Sequence, residues 1–522
     1  MPKKINFHLI LFFASLAIFL LVLLFKIEDF PIYFFIDEAI QAVKAETLLQ
    51  KGFRNRDGDL FPLIMNRFNY WDLGLTVYLN LPGLLLFGKK IWVVRGTTVL
   101  FSLLGGVFTA LILKNVFKIR NYWVGILYLV SIPMFFLHSR TGFEIVIATS
   151  FYAGFIYFYL LYRTGKPFYL LSALFFAALA FYSVNALWLV IIVTLAVFAL
   201  LDLPFHLKNP KIAILSAVLC LLLFAPFLRW QIANFAKTKT LLSKYNNPLA
   251  KDDSFKSGLI FMAKNYSLIF NPAYLFFYHP SYHPRHYLKG YGYFPAWSIP
   301  VILLGLIYLL KKLKNPGERT LLVALFLSPL GGALVEPGPS RIMALVIPAT
   351  CLFGLGIKSG EILIAKLNSR FNLQKTYSLI LFISLYLIVI LMTNDSLKNG
   401  PFWFRDYGLY GMQYGARQML TNAKSSLSNY QNVVVSTGFA NGLDVLFLFF
   451  LNEEEQRRIR LIGVDQYLEA LPTYTNTVFI LDENEYLNLL SKPHFYRSLK
   501  IIEILPTPDN QPHFFKLEIG DV

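Results

Sequence analysis

The sequence predicts a mainly α, polytopic membrane protein of about eleven transmembrane helices, with a small C-terminal extracytoplasmic α/β domain. Three observations carry this reading. Of 522 residues, 56% are hydrophobic and only 15% charged, more apolar surface than a water-soluble fold can bury but what a bilayer accepts as solvent. The apolar residues fall into eleven runs, near 6–25, 91–113, 122–137, 143–162, 167–183, 186–201, 211–227, 296–310, 320–335, 341–357 and 377–393. The net charge of +18 is divided unevenly between the turns that join them.

That division sets the orientation. With the N-terminus inside, the segments 1–5, 114–121, 163–166, 202–210, 311–319 and 358–376, with Lys211 at a helix end, hold 17 Lys and Arg. Three acids, Asp202, Glu318 and Glu361, stand against them, and the short turns of the other side hold one cation, Arg140. Cytoplasmic turns collect Lys and Arg, so the basic balance orients a membrane protein and argues against nucleic acid as a partner. The first run, "NFHLILFFASLAIFLLVLLF", follows Lys3 and Lys4 and lacks a small-residue cleavage site. It reads as a retained first helix of a multi-pass membrane protein, not a removed signal peptide. Cys220 and Cys351 fall inside apolar runs and read as buried residues, not a disulfide.

An odd number of spans places the long segments 26–90 and 228–295 outside, as loops of a transmembrane domain covering 1–396. The tail, 397–522, follows on the same side. There "NVVVST", "TVFILD" and "LKIIEIL" read as short strands, "GLDVLFLFFLNEEEQRRIR" and "ENEYLNLLSK" as helices. The tail has no nucleotide-binding loop, no G-x-S-x-G and no metal motif.

The outer loops hold the chemistry. In "PIYFFIDEAIQAV" (31–43), Asp37 and Glu38 open a predicted short helix stopped by Gly52. Asp37, Gln41 and Lys44 share one of its faces. Two readings fit: a solvated helix start whose acids complement the dipole, or a carboxylate general base just above the lipid headgroups. Arg95, Arg140, Glu144 and Arg341 sit where the spans meet the outer surface. Ionisable groups there mark a site or pathway, unless Arg140 and Glu144 pair on one helix and Arg341 snorkels. Three arginines on this face suit an anionic phosphate, which guanidinium binds bidentately. The loop 276–297 carries His279, His283 and His286, but Pro280 and Pro284 break the spacing and no Cys or acid completes a metal set, so no metal is assigned. Its aromatics fit an interfacial belt or a sugar-stacking platform. Tyr182 and Asn185, in "FYSVNAL", face the site or cap a helix.

Assembled in this order, the stretches "IDEAIQAVKAETLLQKG", "LFGKKIWVVRGTTVLFSLLGG", "SRTGFEIVIATSF", "NPAYLFFYHPSYHPRHYLKGYGYFPAW", "SPLGGALVEPGPSRIMALVIP" and "FRDYGLYGMQYGARQML" resemble GT-C glycosyltransferases. The resemblance is to the branch of protein O-mannosyltransferases and the lipid A aminoarabinose transferase. It implies the bacterial cytoplasmic membrane as location, a polyprenyl-phosphate sugar as donor, inversion at the anomeric carbon, and a protein, lipid or glycan acceptor. It also implies Asp37 as general base, with Glu38 positioning it or the substrate. Arg95 and Arg341 would hold the lipid phosphate, with Arg285 and His286 near the donor, and Glu144 would bind acceptor or sugar. The first loop reads "NRFNYWDLGLTVYLNLPG" where relatives often carry Lys-Pro-Pro, and "YWDLG" reads as a chance likeness to an oligosaccharyltransferase signature. Two other classes compete. An O-antigen ligase or polymerase would rest on Arg and His in one large external loop, without an Asp-Glu pair after the first span. A lipid transporter or scaffold would show matched, Gly/Pro-broken repeats.

Overall fold

The eleven apolar runs are all helical in a computed structural model that describes residues 6–67, 70–243, 247–248, 255–277, 284–367, 373–405, 414–440, 442–470, 476–492 and 498–520. Among the described residues, six helices are long and apolar enough to cross a bilayer: Phe7–Leu24, Ile91–Val116, Glu144–Arg163, Pro210–Ala233, Pro339–Ile362 and Gln374–Trp403. The helices Tyr169–Ser183, Asn185–Leu201 and Ala296–Leu310 are shorter. Two runs are broken where the sequence suggested continuous helices. The run 122–137 splits into Val124–Ser131 and Pro133–Ser139, because Ile132 before a proline takes extended backbone (φ −76°, ψ 115°). The run 320–335 splits into Pro316–Leu327 and Leu330–Leu334.

In chain order, α1 is Phe7–Leu24, α2 Ile36–Gln50, α3 Leu75–Phe87, α4 Ile91–Leu111, α5 Val124–Ser131, α6 Pro133–Ser139 and α7 Glu144–Arg163. Helix α3 is an apolar helix inside the segment expected to form the first outer loop, and it packs between α2 and α4. Between α2 and α3, strands β1 (Ile64–Arg67) and β2 (Tyr70–Leu73) form a small antiparallel ladder. "YWDL" is thus the second strand of a hairpin, held by Trp71 stacked on Trp188 at 4.6 Å. Later helices pack by close approach. Gly305 and Gly356 leave no room for a Cβ, so the Ile299–Leu310 and Val346–Leu367 backbones touch.

Helix α7 has Glu144 in its first turn and Arg163 in its last, about 30 Å apart at 1.5 Å per residue. The segments that the charge pattern grouped together meet at the Arg163 end. Asp202 accepts from Tyr159 at 2.7 Å and Arg319 at 3.0 Å, and lies 3.0 Å from Arg163. Asn121 donates to Glu361 at 2.6 Å. Chemistry at the Glu144 end is therefore separated from these basic turns by the whole membrane domain.

The tail is a five-stranded mixed sheet in the order β4 (Ile459–Leu461), β3 (Asn432–Val435), β5 (Thr477–Asp482), β7 (Pro512–Ile519), β6 (Leu499–Pro506). The first three strands run parallel and the last two pair antiparallel. β4 and β7 were not read from the sequence. "LDVLFLFF" is a helix, Leu443–Phe450, as expected. It packs on α2, whose Ile36, Ala39, Ile40 and Val43 lie in the same apolar core as Leu446 and Phe449 of that helix and Val433 and Ile480 of the sheet. At its start Gly442 takes φ +67°, and a Cβ there would run into Ile36. The tail and the helix bearing Asp37 thus share one core.

Candidate functional site

Helix α2 places the acids as the sequence suggested. Asp37 and Glu38 lie in its first turn, and past Gln50 the chain leaves the helix with Gly52 at φ +59°. The neighbours differ in exposure. Asp37 is half-buried, while Glu38 is fully buried. Both Glu38 oxygens bind Arg95, through Nε at 2.8 Å and Nη2 at 3.0 Å, and the Gly142 N–H donates to Glu38 Oε2 at 2.8 Å. The other donors of Arg95 go to the carbonyls of Ile27, Pro31 and Tyr33, at 2.8, 3.0 and 3.0 Å.

This corrects one expected role, that of Arg95. A guanidinium has five N–H donors, and all five of Arg95 are taken by protein oxygens, so none remains for a lipid phosphate. Glu38 likewise has both oxygens engaged. It ties α2 to the turn before α7. Arg140 is corrected in the same way. Fully buried, it donates to the carbonyls of Phe30, Val22, Leu23, Phe25 and Lys26 at 2.5–3.2 Å. It thereby satisfies the orphan carbonyls at the end of α1. It neither pairs with Glu144 nor is left a donor for a sugar. Tyr182 gives its hydroxyl to the Leu223 carbonyl at 2.9 Å, which commits it to helix packing.

Glu144, His286, Arg341 and Asn185 are linked by a series of contacts, sequence neighbours and one longer-range electrostatic effect. One turn after Asp37, the buried Gln41 donates to Glu144 at 3.5 Å and accepts from Thr76 at 3.0 Å. Beside Glu144, the Phe143 ring lies 5.6 Å from that of His286. Tyr287, next in sequence, shares a short hydroxyl contact with Tyr293, which meets Tyr274 at 3.3 Å. Burial pushes the Tyr274 phenol up to about 12, and the charges of Glu336 and Arg341 both reach it, with opposite effects. Arg341 donates to the Glu336 carbonyl. Its own carbonyl faces that of Ala186 across Gly331, where no Cβ fits. The adjacent Asn185 donates to the Trp71 carbonyl at 3.2 Å, and Asp72 pairs with Lys44 at 3.3 Å. Lys44 returns the series to α2. Along this helix runs a cleft of about 220 Å³, lined by Ile40, Lys44 and Arg56 on one side and by Asp444 and Leu448 of the tail on the other.

Several of these residues had no prior signal assigned to them. Tyr274 and Tyr293 sat among loop aromatics, Asp72 in a dismissed motif, and His138 in an apolar run. His138 is buried, its Nε2 3.2 Å from Nδ1 of His286. A histidine two residues before a membrane arginine, in "FFLHSR", was the available clue. His279 and His283 lie outside the described residues, as does part of the quoted stretch 404–420. Among the described residues, no three His, Cys, Asp or Glu side chains group as a metal set.

Residues 76–230 match the family of dolichyl-phosphate-mannose-protein mannosyltransferases. No curated protein sequence matches the chain. The fold is similar to that of ArnT from Cupriavidus metallidurans bound to undecaprenyl phosphate, with a TM-score of 0.55 and 12% identity over 98% of both chains. The apo state of the same protein gives a TM-score of 0.53 and 13% identity over 98% of this chain and 97% of that one. The chain therefore shares the fold of that ArnT, with several helices long and apolar enough to span a membrane, and carries a segment, 76–230, similar to mannosyltransferases.

Proposed function

We propose that this protein is an inverting glycosyltransferase that moves a sugar from a polyprenyl-phosphate carrier to a hydroxyl-bearing acceptor. The reaction takes place at the extracytoplasmic face of the bacterial cytoplasmic membrane, with the N-terminus inside and the tail outside. Asp37 takes the proton of the acceptor hydroxyl as its oxygen attacks the anomeric carbon from the face opposite the phosphate. The bond from that carbon to the phosphate oxygen breaks, and the carrier leaves as the lipid phosphate anion. Arg341 and Arg285 hold that anion, gaining strength as its charge develops. Glu144, fixed through Gln41 to the helix of the base, accepts from sugar or acceptor hydroxyls.

One observation carries this reading. The series from Gln41 through Glu144, His286, Tyr274, Arg341 and Asn185 to Lys44 joins an acid-bearing helix to arginines far away in sequence, at one end of the membrane domain. The fold shared with a protein bound to undecaprenyl phosphate, and the mannosyltransferase-like segment, support a lipid-phosphate donor. A lipid carrier also explains a chain without a nucleotide-binding loop.

The test is a panel of polyprenyl-phosphate sugars offered to the purified protein in lipid nanodiscs. Wild type is expected to be protected against unfolding by one donor and to release lipid phosphate when acceptor is added. Asp37→Asn should bind that donor and transfer nothing, and Arg341→Ala should lose binding. Full transfer by Asp37→Asn removes the general base. A wild-type protein that binds no donor removes the carrier.

A further inference from the structure

At the end of the membrane domain away from the candidate site, two lysines share one tyrosine. Tyr308 lies in the last turn of the helix Ile299–Leu310, and Lys358 inside the neighbouring helix Val346–Leu367. Gly305 and Gly356 let the two backbones touch, so residues just beyond the contact stand side by side. Lys312, one turn after Tyr308, donates to its hydroxyl at 2.9 Å, with Nζ 4.6 Å from the ring centre. Lys358 Nζ lies 5.5 Å from the same ring centre and donates to the Phe117 carbonyl. Among the described residues, neither ammonium has a carboxylate within 4 Å, and the Tyr308 hydroxyl hydrogen has no acceptor. The two acids whose charges reach the lysines are placed elsewhere. Glu361 accepts from Asn121, and Glu318 is buried in the first turn of Pro316–Leu327. Two cations on one neutral ring repel each other, and an anion between them removes that repulsion. Lysines can also complement a helix C-terminus. That accounts for Lys312, just past the end of its helix, but not for Lys358, well before the end of its own.

We propose that Lys312, Lys358 and Tyr308 form a binding site for an anionic phospholipid in the leaflet opposite the candidate site. Its phosphate sits between the two ammonium groups and takes the Tyr308 hydroxyl hydrogen, while an acyl chain lies along the helix Ile299–Leu310. The apolar half of the site is on the same helix. Leu304, one turn before Tyr308, and Leu303 and Ile307 beside it are each about half exposed. A soluble anion would use only the polar half. The lysines stand where an apolar span meets a basic turn, the depth at which phospholipid headgroups lie and basic pockets between helices hold them. The site shares no residue with the glycosyl-transfer machinery and does not rest on that reading.

Native mass spectrometry of the full-length protein, stripped of lipid in a neutral detergent and titrated with phosphatidylglycerol, tests this. Wild type is expected to hold phosphatidylglycerol about tenfold or more tighter than phosphatidylcholine, which carries the same phosphate without net charge. Lys312→Gln should weaken retention about fivefold, the share of one lysine at a membrane surface. Tyr308→Phe keeps the ring and should weaken it by a similar factor, about that of one hydrogen bond. Neither variant touches the bond to the Phe117 carbonyl, so both carry the test even if Lys358→Gln fails to fold. The double variant Lys311→Gln with Lys314→Gln removes two charges from the same turn but none from the ring, and should leave retention within about twofold of wild type. Equal loss in that double variant overturns the proposal, because retention would then follow the charge of the turn. So does unchanged retention in Lys312→Gln and Tyr308→Phe. Displacement of the lipid by excess inorganic phosphate overturns it too, in favour of a soluble anion. None of these results needs a sugar donor, so failure here is distinct from failure of the transferase reading.

Discussion

Glu38 and Arg95, 57 positions apart, form a fully buried bidentate pair, and the same guanidinium holds three carbonyls of the segment that leads from α1 to α2. The acid next to the candidate base thus fixes where that base stands. Removing one partner strands a buried charge, so Glu38→Gln or Arg95→Met should each cost about 3–5 kcal/mol. The expected sign is a large fall in melting temperature in detergent for either single variant. Removing both charges together, in Glu38→Leu with Arg95→Met, should cost less than the two singles summed. Strict additivity would show that the pair is not coupled.

Gln41 bridges Thr76 and Glu144. Gln41→Leu keeps the volume and leaves one hydroxyl unpaired, so stability should fall by about 1 kcal/mol while transfer falls more than tenfold. Gln41→Glu places a like charge beside Glu144 and should be worse for transfer than Gln41→Leu. Initial rates beside melting curves check both. Equal rates for the two variants would show that Glu144 is not held by this contact.

Gly442 sits at φ +67° against Ile36. Gly442→Ala should cost more than the roughly 1–2 kcal/mol of its left-handed backbone, because its Cβ already meets the Ile36 side chain, and Gly442→Val more still. Trimming Ile36→Val should recover part of the Gly442→Val loss and none of the Gly442→Ala backbone cost. Melting temperatures of the four proteins read this out.

In the tail, burial first and then the Asp482 charge push the Glu485 carboxyl above its ordinary value, against a hydrogen bond from Ser436 that pulls it down. The folded state therefore keeps a proton that the unfolded chain releases. Stability is greatest below the ordinary glutamate range and declines as pH rises through the window up to the folded value. Glu485→Gln should flatten that decline and melt higher than wild type at neutral pH. A variant that melts lower at neutral pH would contradict the direction.

Much of the architecture was legible because hydrophobicity and charge act on it directly. Apolar runs marked helices, and the cations of the connecting turns grouped segments that do meet in space, such as those of Arg163, Asp202 and Arg319. Helix α3 was missed because "LTVYLNLPGLLLF" is only 13 residues long and stands behind charged loop sequence. β4 was missed because three residues, "IRL", continue a helical charge pattern. For the site, composition identified which residues are out of place in lipid but not where their hydrogen bonds go. Arg95, Arg140 and Arg341 look alike in sequence. Only the backbone fold shows that the first two close on carbonyls inherited from the end of α1 and the loop beyond it. For His138 the one clue is its place two residues before Arg140, since a lone imidazole in an apolar run carries no periodic pattern.

The apolar face of α2 belongs to the sheet-bearing tail as much as to the membrane helices. Cutting the chain near 397, where composition changes, would leave Ile36, Ile40 and Val43 facing water on one fragment, and Leu446 and Phe449 on the other. Neither piece would be a self-sufficient folding unit. The boundary visible in the primary structure is a change of solvent, from lipid to water, and the unit that must be expressed intact to keep Asp37 in place is the whole polypeptide.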